Sequence, residues 1–189
     1  ARGWTISHVF ETHLHADFVS GAMELRSATG AELFVPAAAE VRFPHRGVRA
    51  GDTVPTALGN VSVIASPGHT PEHSSYVVRS PESPPMLFSG GSLLVGGAAR
   101  TDLISPEATT ELTQAQYRTI TSAFSDLPDE TLLLPTHGGG SFCSTGASGE
   151  RTSTLGFERR TNSLLEHRDE GEFVSWFPTT FPAAPRYFF

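Results

Sequence analysis

The sequence contains no lysine, because all 13 basic residues among its 189 are arginines. Chemistry that depends on a lysine, such as Schiff-base catalysis or a phosphate-binding P-loop, is therefore excluded. Cysteine occurs once, as Cys143, which is too little sulfur for a disulfide framework or a zinc site built of thiolates. Charged residues make up only 17% of the chain and hydrophobic residues 38%, so the composition is that of a folded domain rather than a disordered one.

The charge balance and the lack of long apolar stretches narrow the choice of partners and location. The formal net charge is −7, which disfavours nucleic acid and anionic membrane surfaces as partners. The longest apolar stretches, such as Thr131–Pro135, are far shorter than the ~20 residues of a membrane helix. With a single thiol and no secretory signal over residues 1–12, we expect a cytoplasmic protein.

Predicted strands and helices alternate along the chain, which indicates an α/β or α+β sandwich. Strands are predicted where β-branched and aromatic residues precede turn signals, over residues 5–11, 32–35, 61–65, 74–79, 86–89 and 131–134. Helices are predicted over residues 20–29, from Ser105 to Pro128, and around residues 155–167. The aromatic tail, residues 173–189, is expected to pack on a domain formed by residues 1–172, with a partner surface as the alternative.

Histidines follow several predicted strands, in turns rich in glycine, proline and threonine. Residues two apart in an extended segment share a side, so His13, His15 and Asp17 are expected to point the same way. Two imidazoles and a carboxylate suit zinc or non-haem iron. A His-x-His pair alone is weak evidence, since solvated or core histidines are the alternative. The Gly-His-Thr segment at His69 and the Thr-His-Gly segment at His137 strengthen the prediction of a metal site.

In their order along the chain, four segments resemble the metallo-β-lactamase superfamily, in particular its persulfide dioxygenase-like branch and related proteins fused to rhodanese domains. The matching segments are Glu11–Gly21, Ser66–His73, Phe88–Leu103 and Leu134–Cys143. The resemblance implies an αββα sandwich with a metal site at one edge of two packed sheets. Strands that precede residues 5–11 in that family are absent here. We therefore expect a fragment, or a shortened sheet whose exposed edge is covered by a second copy or a partner segment.

The resemblance also assigns roles to individual residues. His13, His15 and His69 match the positions that hold the first metal ion. Asp17 and His137 match positions that hold a second ion in the two-metal members. These five residues are therefore the candidate metal ligands, and the three histidines of the first site are the principal ones.

Two departures from the family concern the second metal ion. Phe18 stands where the family has a histidine, and Gly91 stands where it has an aspartate that touches the metal. Neither residue can act as a ligand, so we expect one divalent ion, iron or zinc, held by three histidines. For His73 and Cys143, which lie close in sequence to predicted ligands, a structural role is expected rather than a metal-binding one.

Three functions stay open. Arg100, Thr101 and Asp102 match a substrate-binding segment of the dioxygenase branch, which implies that Arg100 holds a carboxylate of glutathione persulfide or a similar thiol-derived substrate. The resemblance thus implies a persulfide dioxygenase-like enzyme. A single-zinc hydrolase of a thioester or acyl bond, with Asp17 as general base, is the first alternative. A scaffold without metal chemistry is the second, because of the losses at positions 18 and 91.

Overall fold

A computed structural model of the chain describes residues 3–186, which form 11 strands and four α-helices. The strands are β1 (His8–Phe10), β2 (Glu32–Pro36), β3 (Arg46–Val48), β4 (Thr53–Thr56), β5 (Gly59–Ala65), β6 (Ser74–Ser80), β7 (Ser83–Gly90), β8 (Ala98–Ala99), β9 (Leu132–Pro135), β10 (Ser144–Thr145) and β11 (Ser153–Thr154). The helices are α1 (Ala22–Thr29), α2 (Thr109–Arg118), α3 (Leu155–Thr161) and α4 (Glu170–Trp176). A π-helical turn, Thr119–Ala123, continues α2.

The strands assemble into two main sheets and one short ribbon. The smaller sheet is parallel and has the order β1-β2-β3. The larger has the order β11-β9-β7-β6-β5-β4 and is antiparallel except where β7 pairs with β9. Strands β8 and β10 form the ribbon. That a second copy or a partner segment covers a free strand edge stays a prediction.

The helices and the two main sheets form four layers, and an apolar cluster lies between each pair of neighbouring layers. The cluster between the two sheets consists of Phe34, Val48, Val54, Val61, Val63 and Tyr76. On the outer face of the smaller sheet, Ala22 of α1 packs against Leu33 and Val35 of β2. On the outer face of the larger sheet, a bigger cluster joins β6, β7 and β9 to α2, α3 and α4. The order helix, sheet, sheet, helix confirms the αββα sandwich expected from the sequence.

Strand β6 shows how the sequence creates these layers. Two consecutive residues of this strand, Tyr76 and Val77, are both buried. Tyr76 belongs to the cluster between the two sheets, and Val77 belongs to the cluster between the larger sheet and the helices. Successive side chains of a strand point to opposite faces, so a strand that is covered on both sides needs a continuous apolar run. The segment Tyr76–Val78 provides that run.

The predicted elements differ from the structure mainly at their ends. The strand predicted over residues 5–11 is reduced to His8–Phe10. The helix predicted from Ser105 begins only at Thr109, and the Ser105 hydroxyl accepts a hydrogen bond from the Ala108 N–H (3.2 Å) in the turn that precedes it. The helix predicted around residues 155–167 stops at Asn162, whose Oδ1 accepts from the Leu164 N–H (3.1 Å) and starts a separate turn. Five strands, β3, β4, β8, β10 and β11, were not predicted.

The aromatic tail lies on the helical face of the larger sheet. Phe173 and Phe177 are fully buried in the larger core, and Phe181 packs against it. Helix α4 lies in this tail and was not predicted. The last part of the tail, residues 187–189, and the first two residues of the chain lie outside the described residues. Within residues 3–186, no helix combines the length and the apolar character that a membrane crossing requires.

Replacing Phe177 by alanine tests the contribution of the tail to the core. The side chain is fully buried, so Phe177→Ala is expected to lower the free energy of unfolding by about 3–5 kcal/mol through the cavity it leaves. Phe157, whose exposed fraction is 52%, supplies the control, and Phe157→Ala should cost less than about 1 kcal/mol. Urea denaturation measures both, and equal losses would mean that the tail does not support the core.

Candidate metal centre

Three loops converge at one edge of the sandwich and carry the predicted metal-site residues. His13, His15 and Asp17 lie after β1, His69 lies after β5, and His137 lies after β9.

The loop after β5 depends on a glycine. Gly68 has a φ of +146°, which favours glycine, and a Cβ built on it would lie 2.6 Å from the Cα of Gln116 in α2. This close approach fixes the backbone immediately before His69.

His13, His69 and His137 bring their ring nitrogens together. The Nε2 atoms of His13 and His137 are 3.1 Å apart, and the candidate ligand atoms of all three side chains lie within 4.8 Å of one another. All three residues are buried. Three imidazole nitrogens at such separations can bind one divalent ion and leave a position for water or substrate.

His15 belongs to a second group, formed with Asp17 and His137, whose candidate ligand atoms also lie within 4.8 Å of one another. Oδ2 of Asp17 is 3.2 Å from Nδ1 of His137. The ring of His15 lies beside that of His13, with centroids 4.2 Å apart. The structure thus brings all five predicted ligands to one place, but it groups His13 and His69 with His137 rather than with His15. The assignment of His15 to the first metal ion stays a prediction.

The rings of His13 and His69 are each oriented by one neighbouring group. Nδ1 of His13 is 2.8 Å from Oγ1 of Thr12. Nδ1 of His69 donates a hydrogen bond to the carbonyl oxygen of Arg100 at 2.6 Å. Outer partners of this kind fix the tautomer and orientation of metal-binding histidines. They leave Nε2 of each ring for an ion.

Two buried polar atoms at the centre lack a partner within residues 3–186: Nδ1 of His15 and Oδ1 of Asp17. The other ring nitrogen of His15, Nε2, is 3.4 Å from Oε2 of Glu11. A buried nitrogen or oxygen without a hydrogen bond is costly, and a bound cation removes that cost. These two atoms, together with the imidazole donor set, fit a divalent metal ion and a water molecule bound to it.

Electrostatics favours the neutral form of His13 and His69 and the charged form of the Asp17 carboxylate. Burial lowers the pKa of His69 to about 4, and burial together with His73 and the other nearby imidazoles lowers the pKa of His13. Burial alone would raise the pKa of Asp17, but the hydrogen bond from His137 holds that pKa below its ordinary value. Neutral imidazole and ionised carboxylate are the forms that bind metals.

The two positions that depart from the family pattern also lie at this centre. The ring of Phe18 stacks on that of His15, with centroids 4.0 Å apart. Gly91 lies under His69, and a Cβ built on it would be 2.6 Å from Cδ2 of His69 and 3.1 Å from Cβ of Ala99. No carboxylate side chain can be accommodated at position 91 unless His69 moves.

Arg100, Thr101 and Asp102, the predicted substrate-binding segment, are engaged with the protein itself. The buried guanidinium of Arg100 donates to both carboxylate oxygens of Asp102, at 2.6 and 2.8 Å, and to the Phe142 carbonyl at 3.3 Å. Oγ1 of Thr101 is 2.7 Å from Oγ1 of Thr113 in α2. Substrate binding by these residues stays a prediction.

Other residues at the centre were not singled out as functional from the sequence. Thr12 and Glu11 contact ring nitrogens of the candidate ligands, and their only signal was their position beside the His-x-His segment. His73 is buried and its ring stacks on that of His13, with centroids 4.8 Å apart. Burial together with the nearby Asp17 carboxylate raises the pKa of the Cys143 thiol to about 12, so this side chain stays protonated.

Known proteins share both the sequence pattern and the fold. The profile of the metallo-beta-lactamase superfamily matches residues 1–137. Hydroxyacylglutathione hydrolase from Polaromonas sp. is 33% identical over 139 residues, which are 72% of this chain and 50% of that relative. The chain spans about half the length, or less, of the curated relatives it matches.

Solved structures extend the match to almost the whole chain. A metallo-beta-lactamase from Staphylococcus aureus superimposes with a TM-score of 0.86 at 30% identity, over 98% of this chain and 56% of that one. ETHE1 from Myxococcus xanthus superimposes with a TM-score of 0.78 at 29% identity, over 97% of this chain and 72% of that one. With its αββα layers and its histidine-rich edge, this chain belongs to the metallo-β-lactamase superfamily.

Proposed function

We propose that the protein is a metal-dependent hydrolase that uses one divalent ion to cleave the thioester of a small thiol such as glutathione. The observation that supports this proposal is the donor set, in which imidazoles of His13, His69 and His137 surround one point and the Asp17 carboxylate lies beside them. Three nitrogen donors with an open position are typical of catalytic zinc sites. The hydroxyacylglutathione hydrolases among its relatives support a thioester as the bond that is cleaved.

The chain's own residues would divide the work around that ion. An ion held by these residues would supply Lewis acidity, that is, a lowered pKa of bound water and a polarised carbonyl group. Asp17 stays ionised beside His137, and its Oδ1 has no hydrogen-bond partner within residues 3–186, so it is available to accept a proton from water. His137 holds the other oxygen of that carboxylate and so fixes its orientation.

A single ion is proposed because the second position lacks donors. Phe18 contributes an apolar ring to the surroundings of His15, and Gly91 has no side chain. Because His137 belongs to the first group, His15 and Asp17 are the donors left, and two ligands are fewer than a protein site for a second zinc or iron ion normally supplies. The buried, protonated Cys143 adds no thiolate ligand.

We also propose that the protein is located in the cytoplasm, because a single free thiol suits a reducing compartment.

A persulfide dioxygenase is the second candidate, and one observation favours it. His15, Asp17 and His137 form a group of two imidazoles and one carboxylate, which is the ligand composition of non-haem Fe(II) oxygenases. The similarity to ETHE1 also supports it. Because both groups include His137, they are alternative positions for one ion. Two assays decide between the dioxygenase and the hydrolase. One measures oxygen uptake with glutathione persulfide by the iron-loaded protein, and the other measures thioester hydrolysis by the zinc-loaded protein.

Removing one ligand tests the metal centre. Zinc-supplemented protein is expected to hold about one ion per chain, and His69→Ala should weaken zinc affinity by at least about 100-fold because one imidazole donor is lost. His45 supplies the control, since its Nδ1 contacts the Phe43 carbonyl (2.9 Å) and His45→Ala leaves the centre intact. Chelator competition measures the affinities. Two ions on the unaltered protein, or equal affinity of the two variants, would contradict the proposal.

Asp17→Asn tests the proton acceptor. Asparagine keeps the shape of the side chain but cannot take a proton, so kcat/KM for an S-acyl glutathione is expected to fall by about 10²- to 10⁴-fold. Zinc content, measured in parallel, should be retained. The exposed Asp126 provides the matched control, Asp126→Asn, which should leave kcat/KM unchanged. Equal rates for Asp17→Asn and the unaltered enzyme would show that Asp17 is not the base.

Gly91→Ala tests whether position 91 can carry any side chain. The added methyl group would lie 2.6 Å from the His69 ring, so this ring must move and zinc affinity should fall about tenfold or more. Gly138 lies next to His137, and a Cβ there meets nothing within 4 Å. Gly138→Ala should therefore bind zinc like the unaltered protein in the same titration. Full zinc affinity of Gly91→Ala would show that the contact between Gly91 and His69 is unimportant.

A further inference from the structure

Behind the metal centre, a buried histidine is held at both ring nitrogens. His73 is 1% exposed. Its Nε2 is 3.0 Å from the backbone nitrogen of Gly91. Its Nδ1 is 2.8 Å from Oγ of Ser66 and 3.0 Å from Oγ of Ser92. With both nitrogens engaged, His73 is not itself available as a metal ligand.

The hydrogen bonds around His73 allow one tautomer. The backbone N–H of Gly91 can only donate, so Nε2 of His73 accepts and the ring proton lies on Nδ1. Nδ1 then donates to the Ser66 hydroxyl, which can donate to Oγ of Ser75 at 2.7 Å. The Ser75 hydroxyl in turn donates to the Ser89 carbonyl at 3.4 Å. Each donor in this chain finds an acceptor, and such satisfied buried networks hold side chains in one arrangement.

His73 contacts the metal centre in two ways. Its ring lies nearly parallel to that of His13, with centroids 4.8 Å apart and planes inclined by 24°. Its Nε2 holds Gly91, the residue against which the His69 ring packs so closely that no Cβ fits between them. One histidine therefore supports two candidate ligands that come from different loops.

We propose that His73 is a positioning residue of the metal centre, which as a neutral imidazole of fixed tautomer sets the ring orientation of His13 and, through Gly91, that of His69. The inference rests on the proposed metal centre but not on thioester hydrolysis. Loss of an outer partner of a metal-binding histidine typically weakens metal affinity by about 10- to 100-fold. An effect of that size is expected when His73 is replaced.

Three variants test this role by a readout that does not depend on activity. His73→Leu removes both hydrogen bonds and the stacked ring, whereas His73→Gln keeps a carbonyl oxygen that can accept from the Gly91 N–H. We expect His73→Leu to weaken zinc affinity by about 10- to 100-fold and to alter the visible absorption spectrum of the cobalt-substituted protein. His73→Gln should recover most of the affinity and the spectrum. His45→Leu, at a histidine outside the centre, should change neither.

A separate variant covers the case in which His73→Leu does not fold. Ser66→Ala removes the acceptor of the Nδ1 proton at little cost in volume, and it should weaken zinc affinity by about tenfold and shift the cobalt spectrum. The inference would be overturned if His73→Leu folds and keeps an unaltered zinc affinity and cobalt spectrum. If His73→Leu does not fold, the same result for Ser66→Ala would overturn it. Unaltered protein that binds no zinc would overturn both this inference and the proposed function. Protein that shows these effects but cleaves no thioester would overturn the proposed function alone.

Discussion

The structure depends on several imidazoles being held neutral and close together at the edge of a sandwich. The Nε2 atoms of His13 and His137 are only 3.1 Å apart in buried surroundings, where two protonated rings would repel strongly. Burial keeps the pKa of His69 near 4, and outer partners such as the Arg100 carbonyl fix which nitrogen carries the proton. Neutral rings whose lone pairs meet at one point are prepared for a cation, which removes the cost of leaving those lone pairs without a partner.

The layers of the fold make this convergence possible. His13, His69 and His137 come from loops after three different strands, and these loops meet only because the two sheets pack face to face around Phe34, Val63 and Tyr76. Between the loops and the sheets lies a shell of buried polar groups centred on His73. Site and core are therefore connected, since Ser75 of β6 and Ser89 of β7 belong to the same chain of hydrogen bonds as His73.

The class of the fold and the placement of the candidate ligands in turns after strands can both be predicted from the sequence, because both follow from local patterns. The strand-like run of β6 and the histidines in turns after β1, β5 and β9 can be recognised without a structure. The partners of those histidines cannot, since the Arg100 carbonyl and the Gly91 backbone N–H are groups that every residue carries. The same limit explains Arg100: its residue type suggests an anion-binding site, but its charge is paired with Asp102, and only the tertiary structure shows this.

Zinc K-edge X-ray absorption of the metal-loaded protein tests the central claim most directly, because it counts the atoms that bind the ion. The structure predicts a single ion bound by about three imidazole nitrogens at ~2.0–2.1 Å, with one water oxygen completing the shell. A shell composed mainly of oxygen atoms, a short metal–metal distance from a second ion, or protein that retains no metal after loading would contradict it.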